Sequence, residues 1–204
     1  MSRRGYLGLK LRAQAWLLIG LDARALTVFD RMLSRWPDDA YALASRAHLN
    51  GQAQGQGQGQ AHGQAGRTAQ ALTDAQRLTV LAPDDARAWF NLGFLLETAE
   101  RWDEAAAAFG RATTLSPQLD RAWYGLGLAL IRQQRFDEAA AALKRNTELQ
   151  PMSPYGWYQL ARVHLDRNDP EEAAKIIRHL KGFEPTVAAQ LEREAAVLAM
   201  SAGA

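Results

Sequence analysis

Pro83, Pro117, Pro151 and Pro185 follow one another at intervals of 34 residues. Pro37 lies 46 residues before Pro83, which is one such interval plus 12. The extra length coincides with the tract 51–63, which is almost entirely glycine, glutamine and alanine. A period of this size means that the chain is built from copies of one supersecondary unit. No such unit buries its apolar face alone, so the copies must stack.

Side chains within each interval repeat as well. Pro83 is followed by Trp89, Leu92-Gly93, Leu96, Trp102, Ala105, Phe109 and Ala112. Pro117 is followed by Trp123, Leu126-Gly127, Leu130, Phe136, Ala139, Leu143 and Asn146. Pro151 is followed by Trp157, Leu160-Ala161, His164, Ala173, Ile177 and Leu180. Earlier in the chain the pattern thins. Pro37-Asp38-Asp39-Ala40 mirrors Pro83-Asp84-Asp85-Ala86, but Leu43 takes the tryptophan position and Arg46-Ala47 replaces Leu-Gly. Ala71, Ala75 and Leu78 resume the pattern after the tract, and Ala13, Trp16, Gly20, Ala25, Phe29 and Met32 fit it before Pro37.

This arrangement resembles the tetratricopeptide repeat (TPR) family of bacterial type, with about five repeats and the fullest match over 86–185. The resemblance implies an all-α fold, a right-handed superhelical solenoid of antiparallel helix pairs with a C-terminal capping helix. The expected units are 1–37 (divergent), 38–85 with a Gln/Gly-rich loop inserted at 51–66, then 86–119, 120–153 and 154–185. A capping helix and tail occupy 186–204, with Val187, Leu191 and Leu198 on one face. Gly93, Gly127 and Ala161 are expected opposite Ala105, Ala139 and Ala173, with the larger side chains filling the space between units. Asp103-Glu104, Asp137-Glu138 and Asp169 with Glu171-Glu172 suit the positive ends of second helices. Ser153-Pro154 reads as an N-cap followed by proline at the first helical position.

Composition narrows the function. There is no cysteine, which excludes disulfides, thiolate metal sites and cysteine nucleophiles. A net charge of +2 does not by itself point to nucleic acid. The charge is uneven, however: residues 1–35 hold seven basic and two acidic side chains, leaving 17 basic against 20 acidic. No apolar run approaches the ~20 residues of a membrane span. Lys10 and Arg12 interrupt what would be a signal-peptide core. The expectation is a cytoplasmic protein, and arginine outnumbering lysine twenty to four suits a GC-rich bacterial genome.

Catalytic constellations are missing from the sequence. His48, His62, His164 and His179 form no metal-ligand spacing, and His164 takes a packing position. The acidic pairs recur with the repeat and mark helix starts, so no enzyme activity, metal or cofactor is expected. A binding surface is better supported. In TPR proteins the first helices line a concave groove. Carrying the outward offsets over places Arg87, Phe90, Asn91 and Phe94 there, then Arg121, Tyr124, Gly125 and Leu128, then Tyr155, Tyr158, Gln159 and Arg162. The weak second unit adds Tyr41, Ala44, Ser45 and His48. The carboxylate clamp of chaperone-type members is mostly absent: Asn91 and Arg121 match it, whereas Ala44, His48 and Gly125 depart from it.

The function implied is non-catalytic: an adaptor or assembly factor that holds a partner peptide or helix, favouring one with an acidic group. A dedicated chaperone of a secretion or pilus system and an accessory subunit of an enzyme are the alternatives. Tyr6, Leu7, Leu9 and Leu11 near the N-terminus are expected to cover either the next helix of their own unit or a second copy of the chain.

Overall fold

The computed structural model describes residues 3–52 and 61–202, and among these all regular structure is helical. The helices are α1 (Arg3–Leu18), α2 (Asp22–Leu33), α3 (Ala40–Gln52), α4 (Ala61–Leu81), α5 (Ala86–Thr98), α6 (Trp102–Leu115), α7 (Asp120–Arg132), α8 (Phe136–Leu149), α9 (Pro154–Asp166), α10 (Pro170–Lys181) and α11 (Pro185–Ala202). They form two compact units, Met1–Ala99 and Glu100–Ala204. The division falls between α5 and α6, inside the expected third repeat.

The Gln/Gly tract differs from the expected loop. Gly51 and Gln52 close α3, and residues 61–66 open α4, so these positions are helical; 53–60 lie outside the described residues. Glutamine and alanine are good helix formers and offset the glycine cost of about 1 kcal/mol each. Gly51 has a packing reason as well, since a β-carbon there would stand 2.7 Å from Leu95 Cδ2.

In the first unit α1 pairs with α2, α2 with α3, α3 with α4 and α4 with α5. Ala13, Phe29, Met32, Ala42 and Leu43 form the centre of its core. Tyr6 meets Trp36 edge-on, with ring centroids 5.2 Å apart. Tyr6 and Leu9 thus pack on their own unit, while Leu7 and Leu11 are exposed.

Arg46 explains how a unit survives without its Leu-Gly pair. Its guanidinium donates through Nε and Nη2 to Asp74 of α4 at 2.8 and 2.7 Å, and through Nη1 to Asp30 of α2 at 2.7 Å. Gln70 donates to the same Asp74 carboxylate at 3.1 Å. Asp74 is only 2 % exposed. The Asp74 bond, together with Asp30, holds the guanidinium more firmly protonated than usual, against the opposing effect of burial. At the corresponding positions the fourth repeat has Leu126 and Ala142, and the fifth Leu160 and Ile176. One charged pair therefore replaces an apolar one and ties α3 to both neighbours.

In the second unit each helix from α6 to α11 packs on the next, and α11 also packs on α9. Close approach is achieved by setting large side chains on glycines. The Phe109 ring lies 2.6 Å from where a Gly125 β-carbon would stand, and Leu143 Cγ the same distance from that of Gly127. Gly127 therefore receives Leu143, a correction to the expected pairing with Ala139. Asn146 Oδ1 lies 2.2 Å from the corresponding point of Gly156, and its Nδ2 donates to Asp120 O at 2.9 Å.

Turns are also built alike. Gly20, Gln134 and Asn168 take positive φ of 71°, 59° and 57° after α1, α7 and α9. The following amides reach back to helical carbonyls: Leu21 to Trp16, Arg135 to Leu130 and Asp169 to His164, at 2.9, 3.0 and 2.8 Å. These bonds close the helix C-termini in the left-handed manner. At the other end of each repeat, the indoles of Trp89, Trp123 and Trp157 donate to the carbonyls of Pro83, Pro117 and Pro151 at 2.8, 3.0 and 2.8 Å. Capping follows the acidic residues only in part. Asp39, Asp85 and Asp169 accept backbone amides at the starts of α3, α5 and α10. Ser153 stands at the α9 N-cap without a side-chain bond, and Pro154 occupies the first helical position as expected.

Two substitutions exchange one repeat's solution for another's. Asp74→Ala is expected to cost about 3 kcal/mol by leaving Arg46 without its main partner. Adding Arg46→Leu should recover most of it, and urea midpoints of the two variants compare them directly. Gly156→Ala is expected to cost about 1–3 kcal/mol by overpacking. Adding Asn146→Ala, which reproduces the Ala112 and Ala122 combination of the preceding repeat, should relieve the clash; an undiminished loss would contradict this account.

Candidate functional site

In the first unit the expected groove residues lie on α5. Arg87, Asn91 and Phe94 are exposed, Phe94 at 52 %, and Phe90 is half-buried. Their presentation follows from the helix start. Asp85 accepts the Arg87 amide at 2.9 Å, while the Trp89 indole anchors the first turn to Pro83. On α3, Tyr41 is occupied structurally: it packs on Phe29, and the Lys10 ammonium stands 4.5 Å from its ring centre.

The second unit carries the rest on α7 and α9. Arg121 is exposed, and Tyr124 and Leu128 are half-buried, with Tyr124 resting on the unit's core. Gly125 is buried beneath the Phe109 ring and is not part of an open surface. Tyr155 is 71 % exposed, Gln159 is half-buried and Arg162 is exposed. Tyr158 is engaged by α11. Its hydroxyl donates to Glu194 at 2.9 Å, and Gln190 Nε2 donates to its oxygen at 3.2 Å. Arg162 Nε lies 3.7 Å from the same Glu194 carboxylate. Partial burial lowers the Arg162 basicity, but Tyr158, Glu194 and Asp166 outweigh it and hold the guanidinium above its ordinary value. Tyr124 and Tyr158, which stand at the same offset in successive repeats, therefore differ: Tyr124 rests on the core and shares a hollow with Tyr155, while Tyr158 is tied down by the terminal helix.

A hollow of about 410 Å³ brings Arg121, Tyr124 and Tyr155 together. Its remaining wall is Asp120 at the start of α7, Asn146 of α8, Gln150 just after α8 and Ser153 just before α9. Those four residues were not among the sequence candidates for the groove. Asn146 carried a readable signal, because it puts an amide where the preceding repeat has the buried Ala112. The hollow thus combines two phenols, one of them exposed, a guanidinium, the Asp120 carboxylate, and amide and hydroxyl groups. A second hollow, of about 370 Å³, lies between Arg162, Leu165 and Asp166 of α9 and Glu194, Val197 and Leu198 of α11. His164, half-buried, has Nδ1 3.1 Å from Asp169 and belongs to the turn.

A family model described as tetratricopeptide repeat matches residues 57–120, 95–154 and 124–188. No curated protein matches the sequence. Solved structures share the fold. A crystal structure of MamA is 18 % identical with a TM-score of 0.71, covering 90 % of this chain and 96 % of that one. MamA from residue 41 to its end, from Desulfovibrio magneticus RS-1, is 18 % identical with a TM-score of 0.73, covering 93 % and 96 %. YrrB, described as a TPR protein with an unusual peptide-binding site, is 17 % identical with a TM-score of 0.72, covering 89 % and 88 %. At these identities the likeness is one of fold: all-α, built from helix hairpins of the TPR type.

Removing the Tyr158 hydroxyl tests how α11 is held. Tyr158→Phe should weaken its docking by about 1 kcal/mol. Amide exchange should then accelerate across 188–196 while α7 and α8 keep their protection.

Proposed function

The chain belongs to the tetratricopeptide repeat family, and on that premise we propose that it is a non-catalytic protein–protein interaction module serving as an adaptor or assembly factor in the cytoplasm. The observation that carries this reading is the convergence of Arg121, Tyr124 and Tyr155 on one hollow of the α7–α9 face. An exposed tyrosine offers a large rigid contact area with few torsions to immobilise. Arginine offers a planar fork of donors matched to a carboxylate. Gln150 and Ser153 add groups able to pair with a peptide backbone, whereas Asn146 is buried and already bonded to the Asp120 carbonyl. The partner proposed is a peptide or helix with an apolar or aromatic side chain and a neighbouring acidic group. On the first unit, Arg87, Asn91 and Phe94 of α5 repeat the same mixture of charge, amide and aromatic ring. The peptide-binding description attached to YrrB supports this use of the fold.

Tyr155 is a better probe than Tyr124, whose ring also supports the core. Capture from native lysate with the Arg121→Glu, Tyr155→Ala variant is expected to lose the principal partner of the wild-type chain. The circular dichroism of the variant should be unchanged. A partner retained by the folded variant would place the binding surface elsewhere.

A further inference from the structure

One stripe of α9 runs from Tyr155 through Tyr158 and Arg162 to Leu165, at helical spacings of three and four. Its first end lies in the hollow shared with Arg121 and Tyr124. Its last end lines the hollow of about 370 Å³, with Val197 and Leu198 of α11 on the opposite wall. Between the two stands Glu194 of α11. Its carboxylate accepts the Tyr158 hydroxyl and the Gln190 amide, both at 2.9 Å, and lies 3.7 Å from Arg162 Nε. An arginine and a phenol on α9 thus already hold a carboxylate, and the chain supplies it.

The 34-residue register shows that this contact is not ordinary repeat packing. Pro185 continues the proline series, and Leu191 takes the position of Trp123 and Trp157. Glu194 then falls where the earlier repeats have Leu92, Leu126 and Leu160. A core leucine has become an acid directed at α9. The seating of α11 changes at the same place. Ala188 and Leu191 are fully buried in the core of the second unit. One turn later the facing side chains of α9 and α11 line a hollow between them. Glu194 spans that divergence with polar bonds. The Arg162 side chain is 50 % exposed and that of Glu194 31 %, and a pair so open to water contributes little to stability. An incoming carboxylate would therefore exchange one such pair for another at small cost.

We propose that Tyr158 and Arg162 form a carboxylate-binding pair that Glu194 fills in cis, making the second half of α11 an autoinhibitory strap over part of the peptide surface. This rests on the reading that the first-helix face holds a partner with an acidic group. The stripe from Tyr155 to Arg162 covers about 10 Å of helix, within reach of a short peptide segment. An apolar side chain of the partner takes the Tyr155 hollow, and its carboxylate replaces Glu194 on the Tyr158 hydroxyl and the Arg162 guanidinium. Release of the strap then opens the hollow at Leu165 to the residues that follow. The ligand class is an acidic peptide with apolar residues on both sides of the carboxylate.

The probe is a synthetic peptide of residues 191–198, blocked at both ends, which carries Glu194 between Leu191 and Val197. Its binding to the full chain is followed by NMR titration. Glu194→Ala in the chain is expected to tighten binding at least about fivefold by removing the competitor in cis. The peptide with its own Glu194→Gln should lose that gain, and Arg162→Met added to the Glu194→Ala chain should abolish it. Amide exchange in the Glu194→Ala chain should rise beyond Leu191 and stay unchanged in α9. A glutamate that only braced α11 would change exchange without tightening binding. Circular dichroism establishes that each variant is folded. Equal affinity for wild type and Glu194→Ala, no binding to either, or a gain that survives Arg162→Met would overturn the inference. The Arg121→Glu, Tyr155→Ala variant reads the neighbouring hollow separately. A lysate partner lost there, with no Glu194→Ala gain, overturns the strap alone. The gain with that partner retained overturns the neighbouring hollow and leaves the strap standing.

Discussion

The Phe109 ring, the Leu143 side chain and the Asn146 amide each lie where a β-carbon would stand on Gly125, Gly127 and Gly156 respectively. These contacts set how closely α6, α7, α8 and α9 approach. A neighbouring helix cannot rest on a bulky residue at the same depth without displacing it. The inserted side chains are not interchangeable: one is an aromatic ring, one a branched aliphatic and one a buried amide that also serves the Asp120 carbonyl. The repeat thus conserves the interlocking of large and small positions along the chain while changing the chemistry that fills it.

Arg46 shows the same freedom carried to a charged pair. A guanidinium in the position of Leu126 or Leu160 would be unsupportable alone, and Asp74 on the facing helix compensates it with two bonds. Gln70 satisfies more of the carboxylate, and Asp30 draws in the preceding helix. Paired burial of this kind contributes geometric definition more than net stability. Its directional bonds hold α2, α3 and α4 together in the unit with the weakest apolar pattern.

In the second unit part of the first-helix surface is taken up by the terminal helix and part stays open. α11 packs on α9 and engages Tyr158 and Arg162 through Glu194, so the last expected groove positions serve the terminal helix. One repeat earlier, Arg121 and Tyr124 share their hollow with Tyr155 and with the end of α8. Arg121 and Tyr155 were legible from the 34-residue offset. The Tyr158–Glu194 bond was not, because it joins residues 36 apart through the docking of a helix that departs from the repeat. Asn146 was legible as an amide standing where the preceding repeat has Ala112, but its place at the base of the hollow depends on the packing of α8 on α9.

Sequence alone determined the repeat period and the helical character, whereas packing decided which large side chain meets which glycine, setting Leu143 and not Ala139 on Gly127. Proline spacing and apolar periodicity are local records of a stacked unit, and they need no tertiary coordinates to be read. It also recorded the basic, acid-free start of the chain. Tertiary structure decided which candidates are open. It buried Gly125 under Phe109, tied Tyr158 to α11, turned Tyr6 and Leu9 inward and left Leu7 and Leu11 exposed. It extended helix into both ends of the Gln/Gly tract, with Gly51 fitted against Leu95. The physical reason is common to all of these. Periodicity specifies the face on which a side chain stands, whereas exposure depends on which helix packs against that face.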